Sequence, residues 1–292
     1  MNLLHKDEYQ TLVGILRKRY SFTRSDFFPI IGTLSHPIGK NVVSLYVDRN
    51  DLENVDFILL KIPVSSEIIE FIVNNKFLGN DGKLSSSAMN VIADNTFSNH
   101  FYLLWCHDCN KSLNQDLLSV VKSGSKFHKI TDELGNALCK SGLDFKTIYS
   151  VKNVAINILQ NENVFTKDIK DRELYYFDNI TFGAFEKVVK QYYDEIRHKD
   201  RELSVITGLN MGAYCKSTKN LVGWVTLTCT GSIASLYVLD EHRRKGLGVD
   251  LVSYLVEKCS QLGIIPHGFS ANTNSFLEKV GFTLFTDCTF IV

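Results

Sequence analysis

The sequence predicts an α/β protein built in two regions, and three observations predict it. Short apolar runs rich in Val, Ile, Leu and aromatic residues alternate with stretches of helical spacing along most of the chain. A helical pattern stops at Gly142, within Lys140–Ser150, and a new run begins, which puts a domain boundary near 145 and divides the chain into 1–145 and 146–292. In the second region two strand patterns joined by Cys229-Thr230-Gly231 form a hairpin signal, and a long amphipathic stretch follows.

In the first region Tyr9, Leu12, Val13, Leu16 and Tyr20 recur at helical spacing over 7–20. Strands are expected at Pro29–Leu34, Val42–Val47 and Asp56–Ile62, then a helix around Ser65–Val73. A further strand, Phe101–Trp105, leads towards a helix near Leu113–Val121. In the second region helices are expected over roughly 155–160 and 183–197, the latter carried by Phe185, Val188, Val189, Tyr192, Tyr193 and Ile196. The hairpin pairs Asn220–Thr228 with Ser232–Leu239. Val249–Leu262 is amphipathic and stops at Gly263. Gly263–Ser270 then gives a short strand, Asn274–Val280 a helix, and Phe282–Val292 a closing strand.

Composition excludes several function classes. Among 292 residues, 32 basic side chains balance 32 acidic ones, so no global field draws the protein to nucleic acid or an anionic membrane. Any anion site must be local. No apolar run reaches the roughly 18–20 residues that span a bilayer, and the first residues lack the pattern of a secretory signal. Seven scattered cysteines suit reduced thiols better than a disulfide framework. The expected setting is intracellular, cytoplasmic or mitochondrial, with the chain a monomer or weak dimer.

The chemistry concentrates after the hairpin, where Arg243-Arg244-Lys245-Gly246-Leu247-Gly248 lies between a strand and a helix. A helix start leaves backbone N–H groups without partners and carries about half a positive charge. Glycines at 246 and 248 would let an anion reach those amides, with the basic side chains around its outer oxygens. A merely solvated turn would leave three cations opposing the helix dipole. A dinucleotide fingerprint needs a third glycine, and a Walker loop needs G-x-x-x-x-G-K-[ST]; neither is present.

Leu236-Tyr237-Val238 followed by Arg243, Gly246 and Gly248 resembles the acyl-CoA-binding loop of the GCN5-related N-acetyltransferase superfamily. Asn274–Leu284, with its Gly281-Phe282, looks like that superfamily's last helix and its ending. The run from Gly223 to Leu284 is similar in order and spacing to the C-terminal domain of the glycine N-acyltransferase-like family. The resemblance implies a mixed, mostly antiparallel sheet flanked by helices, preceded by an N-terminal α/β domain that is a candidate degenerate copy. It implies acyl-CoA or coenzyme A as co-substrate, a small amine or amino acid as acceptor, and no metal. Leu236, Tyr237 and Val238 would face the pantetheine arm, their strand splayed from one ending near Phe269. Arg243, Arg244, Lys245, Gly246, Leu247, Gly248 and Val249 would hold the pyrophosphate. Asn274 and Ser275 would reach the cofactor, although both residue types also cap helices well.

The chain departs from that family at the base. Where the glycine acyltransferases have a glutamate after the hairpin's Thr-Gly, this chain has Ser232, and 232–239 holds no carboxylate. Phe276 and Leu277 stand near the position of a tyrosine acid in the last helix. Substitute candidates are His267 as base, for its pKa, and Tyr237 as acid. Each also has a plain packing role, as Asp240 and Glu241 have a plain solvated one. A chain that kept the cofactor loop and lost catalysis is the alternative function. Cys106 and Cys109 form a lone CxxC, which would suit redox chemistry or half a zinc site, but no second Cys/His pair at metal spacing accompanies it.

Overall fold

The computed structural model describes residues 1–20, 28–79, 84–106, 126–127, 130–131, 150–159, 172–193, 195–270 and 274–291. The CxxC beyond Cys106, the helix expected at 113–121 and the linker up to 149 lie outside them.

In chain order the first part contains β1 (Asn2–Leu3), α1 (Tyr9–Tyr20), α2 (Phe28–Ser35), α3 (Gly39–Val42), β2 (Ser44–Val47), β3 (Phe57–Pro63), α4 (Ser65–Asn74), α5 (Ser86–Asp94), β4 (His100–Cys106) and β5 (Lys126–Phe127). The strands form one sheet in sequential order, antiparallel except where β5 runs parallel to β4. Central β3 is buried nearly throughout because helices and neighbouring strands cover it. Helix α1 buries Tyr9, Leu12, Val13 and Leu16 on the face its spacing foretold.

The second sheet takes β6 (Ile130–Thr131), β7 (Ser150–Leu159), β8 (Tyr175–Asp178), β9 (Asn210–Cys215), β10 (Leu221–Leu227), β11 (Ser232–Val238), β12 (His267–Ser270) and β13 (Phe282–Ile291). Its order is β6-β13-β7-β12-β11-β10-β9-β8. Here too one described pairing, β11 with β12, is parallel, and the rest are antiparallel. The first sheet thus repeats the motif of the second on a smaller scale: antiparallel strands, then a parallel neighbour. Helices flank the second sheet: α6 (Phe182–Ala184), α7 (Glu195–Ile206), α8 (Leu247–Gln261) and α9 (Asn274–Lys279). The chain is α/β, with mixed, mostly antiparallel sheets between helices.

Three expectations need correction. Pro29–Leu34 is helical, inside α2. Its apolar residues are buried on every side, so the run carries no helical stripe to read. Residues 155–159 are not helical: Ser150–Leu159 is β7, rich in β-branched Val151, Val154, Ile156 and Ile158, and its stretch Ala155–Ile158 sits between two strands. The helix expected over 183–197 is broken. α6 runs on through a wide π turn at Phe185–Val189 and a 3-10 turn at Lys190–Tyr192, then α7 starts afresh at Glu195.

The two sheets' surroundings share packed contacts. Ile68, Ile69 and Ile72 of α4 and Ala88 and Ile92 of α5 pack in one cluster with Leu203 and Ile206 of α7. Each large aliphatic side chain buried there contributes about 1.5–3 kcal/mol. Ser65 Oγ donates to Asp200 Oδ1 at 2.6 Å, and the Leu84 amide donates to the Ile206 carbonyl at 3.3 Å. Gly32 lies directly against Thr230 and Gly231, where a Cβ would fall 2.1 Å from the Thr230 carbonyl oxygen. The Arg17 guanidinium donates to the Gly263 carbonyl. The first region therefore braces the hairpin that opens the candidate site.

Candidate functional site

Strands β11 and β12 part early. They pair only as Ser232 with His267 and Ile233 with Gly268, while β11 continues to Val238 beside β10. From Ala234 onward the β12 side of β11 has no described strand partner. The Leu239 amide donates to the Val222 carbonyl at 2.9 Å, so by strand alternation Tyr237 turns its backbone groups to β10. Leu236 and Val238 turn theirs towards the gap. Their side chains pack with α8 residues, and Tyr237 lies on the opposite face.

A β-bulge makes this turn in the strand. Trp224 faces Tyr237 and Thr226 faces Ala234, so Ser235 and Leu236 together stand opposite Val225. Ser235 takes φ +54°, a left-handed value uncommon outside glycine. Arg201 Nε donates to Ser235 Oγ, and the Tyr193 hydroxyl donates to the Ser235 carbonyl at 3.4 Å. Tyr193 in turn accepts from Trp224 Nε1 at 3.1 Å, and the Arg201 guanidinium lies 5.7 Å from the Tyr193 ring centre.

Beyond β11 a 3-10 turn at Asp240–His242 leads through the basic residues to α8. Gly246 is the N-cap at φ +85°, and Arg244 is also left-handed at φ +63°. The helix's own bonding begins with Val249 and Asp250 donating to the Gly246 carbonyl at 2.9 and 3.3 Å. The amides of Leu247 and Gly248 therefore stand at the open end of a fifteen-residue helix. Asp250, buried in this first turn, is favourably placed for the dipole.

Gly248 also lies against a side chain of α9. Its missing Cβ would meet the Phe276 ring of α9 at 3.3 Å. The glycine makes room for that ring, and Gly246 alone supplies the backbone freedom of the turn.

The cations are engaged locally. Arg243 Nε donates to the Val238 carbonyl at 2.9 Å, its other end pairs with Asp240 at 2.8 Å, and its guanidinium lies 5.3 Å from the Tyr237 ring centre. It ties the strand end to the loop. Lys245 Nζ donates to the Tyr175 hydroxyl at 3.2 Å, and that hydroxyl lies 2.9 Å from His242 Nδ1. Arg244 is exposed.

The candidates for acid and base lie as follows. Ser232 is buried, its hydroxyl 3.1 Å from that of Thr228, which is 2.9 Å from that of Thr230. His267 begins β12, across from Ser232 and fully buried. Its Nδ1 lies 2.9 Å from the Ile265 carbonyl oxygen, which can only accept, so that nitrogen carries the hydrogen of the bond. Tyr237 stacks on Trp224 at 4.9 Å and tilts against Tyr192 at 4.8 Å, in an aromatic layer. Asn274 and Ser275 open α9, the helix that follows β12. Among the described residues no cluster of His, Cys, Asp and Glu could hold a metal ion, and no helix is long and apolar enough to cross a membrane.

The sequence reading missed Tyr193 and Arg201 as partners of this site. In the sequence Tyr193 shows only as part of a helical stripe, and Arg201 lies 34 residues from Ser235. A serine in a left-handed bulge carries no local signal of the kind that glycine gives.

A family model described as FR47-like protein matches residues 210–291, which run from β9 to the end of β13. No curated protein matches the chain. A solved Drosophila protein superposes with a TM-score of 0.64 at 12% identity, covering 100% of this chain and 98% of that one. At that identity the likeness is one of fold. A tandem GNAT protein from the clavulanic acid biosynthesis pathway gives 0.48 at 13% identity, over 99% and 96% of the two chains. A GCN5-related N-acetyltransferase-like protein from Streptococcus suis gives 0.46 at 12%, over 97% and 98%. The family-model match falls on the stretch that carries the sequence resemblance to the GCN5-related N-acetyltransferases. Nothing in the comparisons singles out the narrower glycine N-acyltransferase-like family.

Proposed function

We propose that the chain is an acyl-CoA-dependent N-acyltransferase of the GCN5-related kind, acting on a small amine or amino acid. The observation that carries this reading is the parting of β11 from β12 directly before the loop that opens α8. An extended pantetheine arm could add to the side of β11 turned from β10, through the Leu236 backbone and the Val238 amide. Its pyrophosphate would then meet the Leu247 and Gly248 amides and the charge of Arg244, with Arg243 and Lys245 shaping the loop. Asn274 and Ser275 would bound the other wall. In this reading residues 146–292 bind the acyl donor and 1–145 brace them.

The chemistry follows from a thioester and an amine. The amine lone pair attacks the carbonyl carbon, a tetrahedral oxyanion forms, and its collapse breaks the C–S bond. The departing thiolate receives a proton, and the nitrogen loses one. No covalent acyl-enzyme is needed, and proximity supplies much of the acceleration. His267 is the proposed base, and Tyr237 the proposed acid.

A second reading, acyl-CoA binding without turnover, is favoured by Ser232. It stands where the related acyltransferases have a glutamate, and its hydroxyl is tied into the hairpin with Thr228. Calorimetry against CoA and an acyl-CoA series, followed by an amine panel including glycine, separates the readings. Binding with amide formation supports the enzyme, binding without it the second reading, and failure to bind any CoA thioester rejects both.

A further inference from the structure

We infer that Arg201 and Tyr193 form a clamp on Ser235 that sets the backbone of the acyl site. They act as positioning residues rather than as ligands of the co-substrate. The functional half of this inference rests on the acyltransferase reading above. The structural half does not.

The bulge decides which way Leu236 and Val238 face. Removing one residue from it would shift the register of β11 and exchange the groups turned to the gap with those turned to β10. Holding a serine at φ +54° strains its backbone, so something must favour that conformation. Both polar ends of Ser235 are engaged. Its hydroxyl accepts from Arg201 Nε and its carbonyl accepts from the Tyr193 hydroxyl. Neither partner is in β11 or its ladder. Arg201 comes from α7, and Tyr193 from the break between α6 and α7.

Each partner is itself held. Trp224 Nε1, on the neighbouring strand, donates to the Tyr193 hydroxyl, which orients that hydroxyl's own proton towards Ser235. The Arg201 side chain is only 12% exposed and lies against the Tyr193 ring, so its Nε has a fixed direction. Thr226 Oγ1 donates to the Ala234 carbonyl at 3.3 Å and closes the bulge from below. The extended Tyr193, where the helical run stops, thereby acquires a role: the interruption brings Tyr193 to the strand.

Amide hydrogen exchange on the unliganded protein tests the clamp without reference to activity. Arg201→Met should raise exchange across Ala234–Tyr237 tenfold or more while β9 amides stay unchanged. Arg201→Lys, which keeps one donor, should recover part of the protection. Unchanged exchange in Arg201→Met would overturn the clamp. Ser235→Gly tolerates the backbone angle and removes the hydroxyl, so its effect and that of Arg201→Met should not add in the double variant; additive effects would also overturn it. With acyl-CoA turnover as the readout, Arg201→Met should lower kcat at least tenfold and change the acyl-CoA KM less than threefold. A loss confined to KM would reject the positioning role. If the wild-type protein neither binds nor turns over acyl-CoA, the acyltransferase reading fails, and the exchange data still decide the clamp.

Discussion

The ring of Phe276 rests on Gly248, so that α9 meets the bare backbone of the first turn of α8 through that ring. An added Cβ would press on the ring at 3.3 Å, and the ring has to move. Gly248→Ala is expected to destabilise the protein by about 1–2 kcal/mol, the usual effect of mild overpacking. Phe276→Leu in the same chain should restore most of that loss. Urea unfolding of the single and double variants checks this, and equal loss in both would show that the contact is not the cause.

The approach of Gly32 to Thr230 should be far less forgiving. The obstacle there is backbone on both sides, with no flexible side chain to yield. Gly32→Ala is expected to cost more than about 3 kcal/mol, or to separate α2 from the hairpin. Thermal unfolding should show a large drop in midpoint. A near-native midpoint would mean that the helix slides without consequence.

His36 should make stability depend on pH. Burial holds its pKa down at about 4, and its Nδ1 accepts from the amides of Ile38 and Gly39 at 3.2 Å each. The unfolded chain binds a proton near pH 6.5 while the folded chain resists it, so unfolding takes up a proton between those values. Stability is therefore complete above about pH 6.5 and falls as pH drops towards 4, by as much as about 3 kcal/mol. His36→Asn keeps an acceptor for the two amides and has no proton to gain. Its urea midpoint should be flatter with pH across that window, and a parallel decline in both proteins would assign the effect elsewhere.

Cys215 and Cys259 should differ sharply as nucleophiles. The Ser217 hydroxyl, 3.1 Å from the Cys215 sulfur, is the main cause that lowers its pKa to about 6, with Thr218 assisting. Burial pushes the Cys259 thiol up to about 12. Iodoacetamide at pH 7 should label Cys215 and leave Cys259 untouched in the folded protein. The labelling rate at Cys215 should have its midpoint near pH 6, and Ser217→Ala should move it upward. A midpoint that stays put would deny Ser217 its role.

The parts legible in the sequence were those whose burial is one-sided. Leu247–Gln261 shows its face because one side packs on the sheet and the other meets water. Ser232–Val238 and its hairpin were readable from Gly231, which takes φ +79°. Where burial is complete the pattern fails, as it did at Ile30, Ile31 and Leu34 of α2. In β7 the residues between two strands alternate too weakly to tell period two from a helical turn. The glycine–cation loop was visible as a string, but its internal division of labour was not. That Arg243 closes on Val238 and Asp240, and that Gly248 faces a ring, are facts of packing. The Ser235 bulge and its Arg201 partner depend on contacts across the chain and leave no local trace.

The position of β7 governs how the molecule can be assembled during synthesis. It lies between β12 and β13, yet it is translated long before either. While the ribosome works through β8 to β11, β7 has neither lateral neighbour, and its backbone groups remain open to any extended chain nearby. The sheet can close only when the last strand emerges. Folding of this half is therefore expected to wait for β13, to be slow for its size, and to depend on shelter for one early strand.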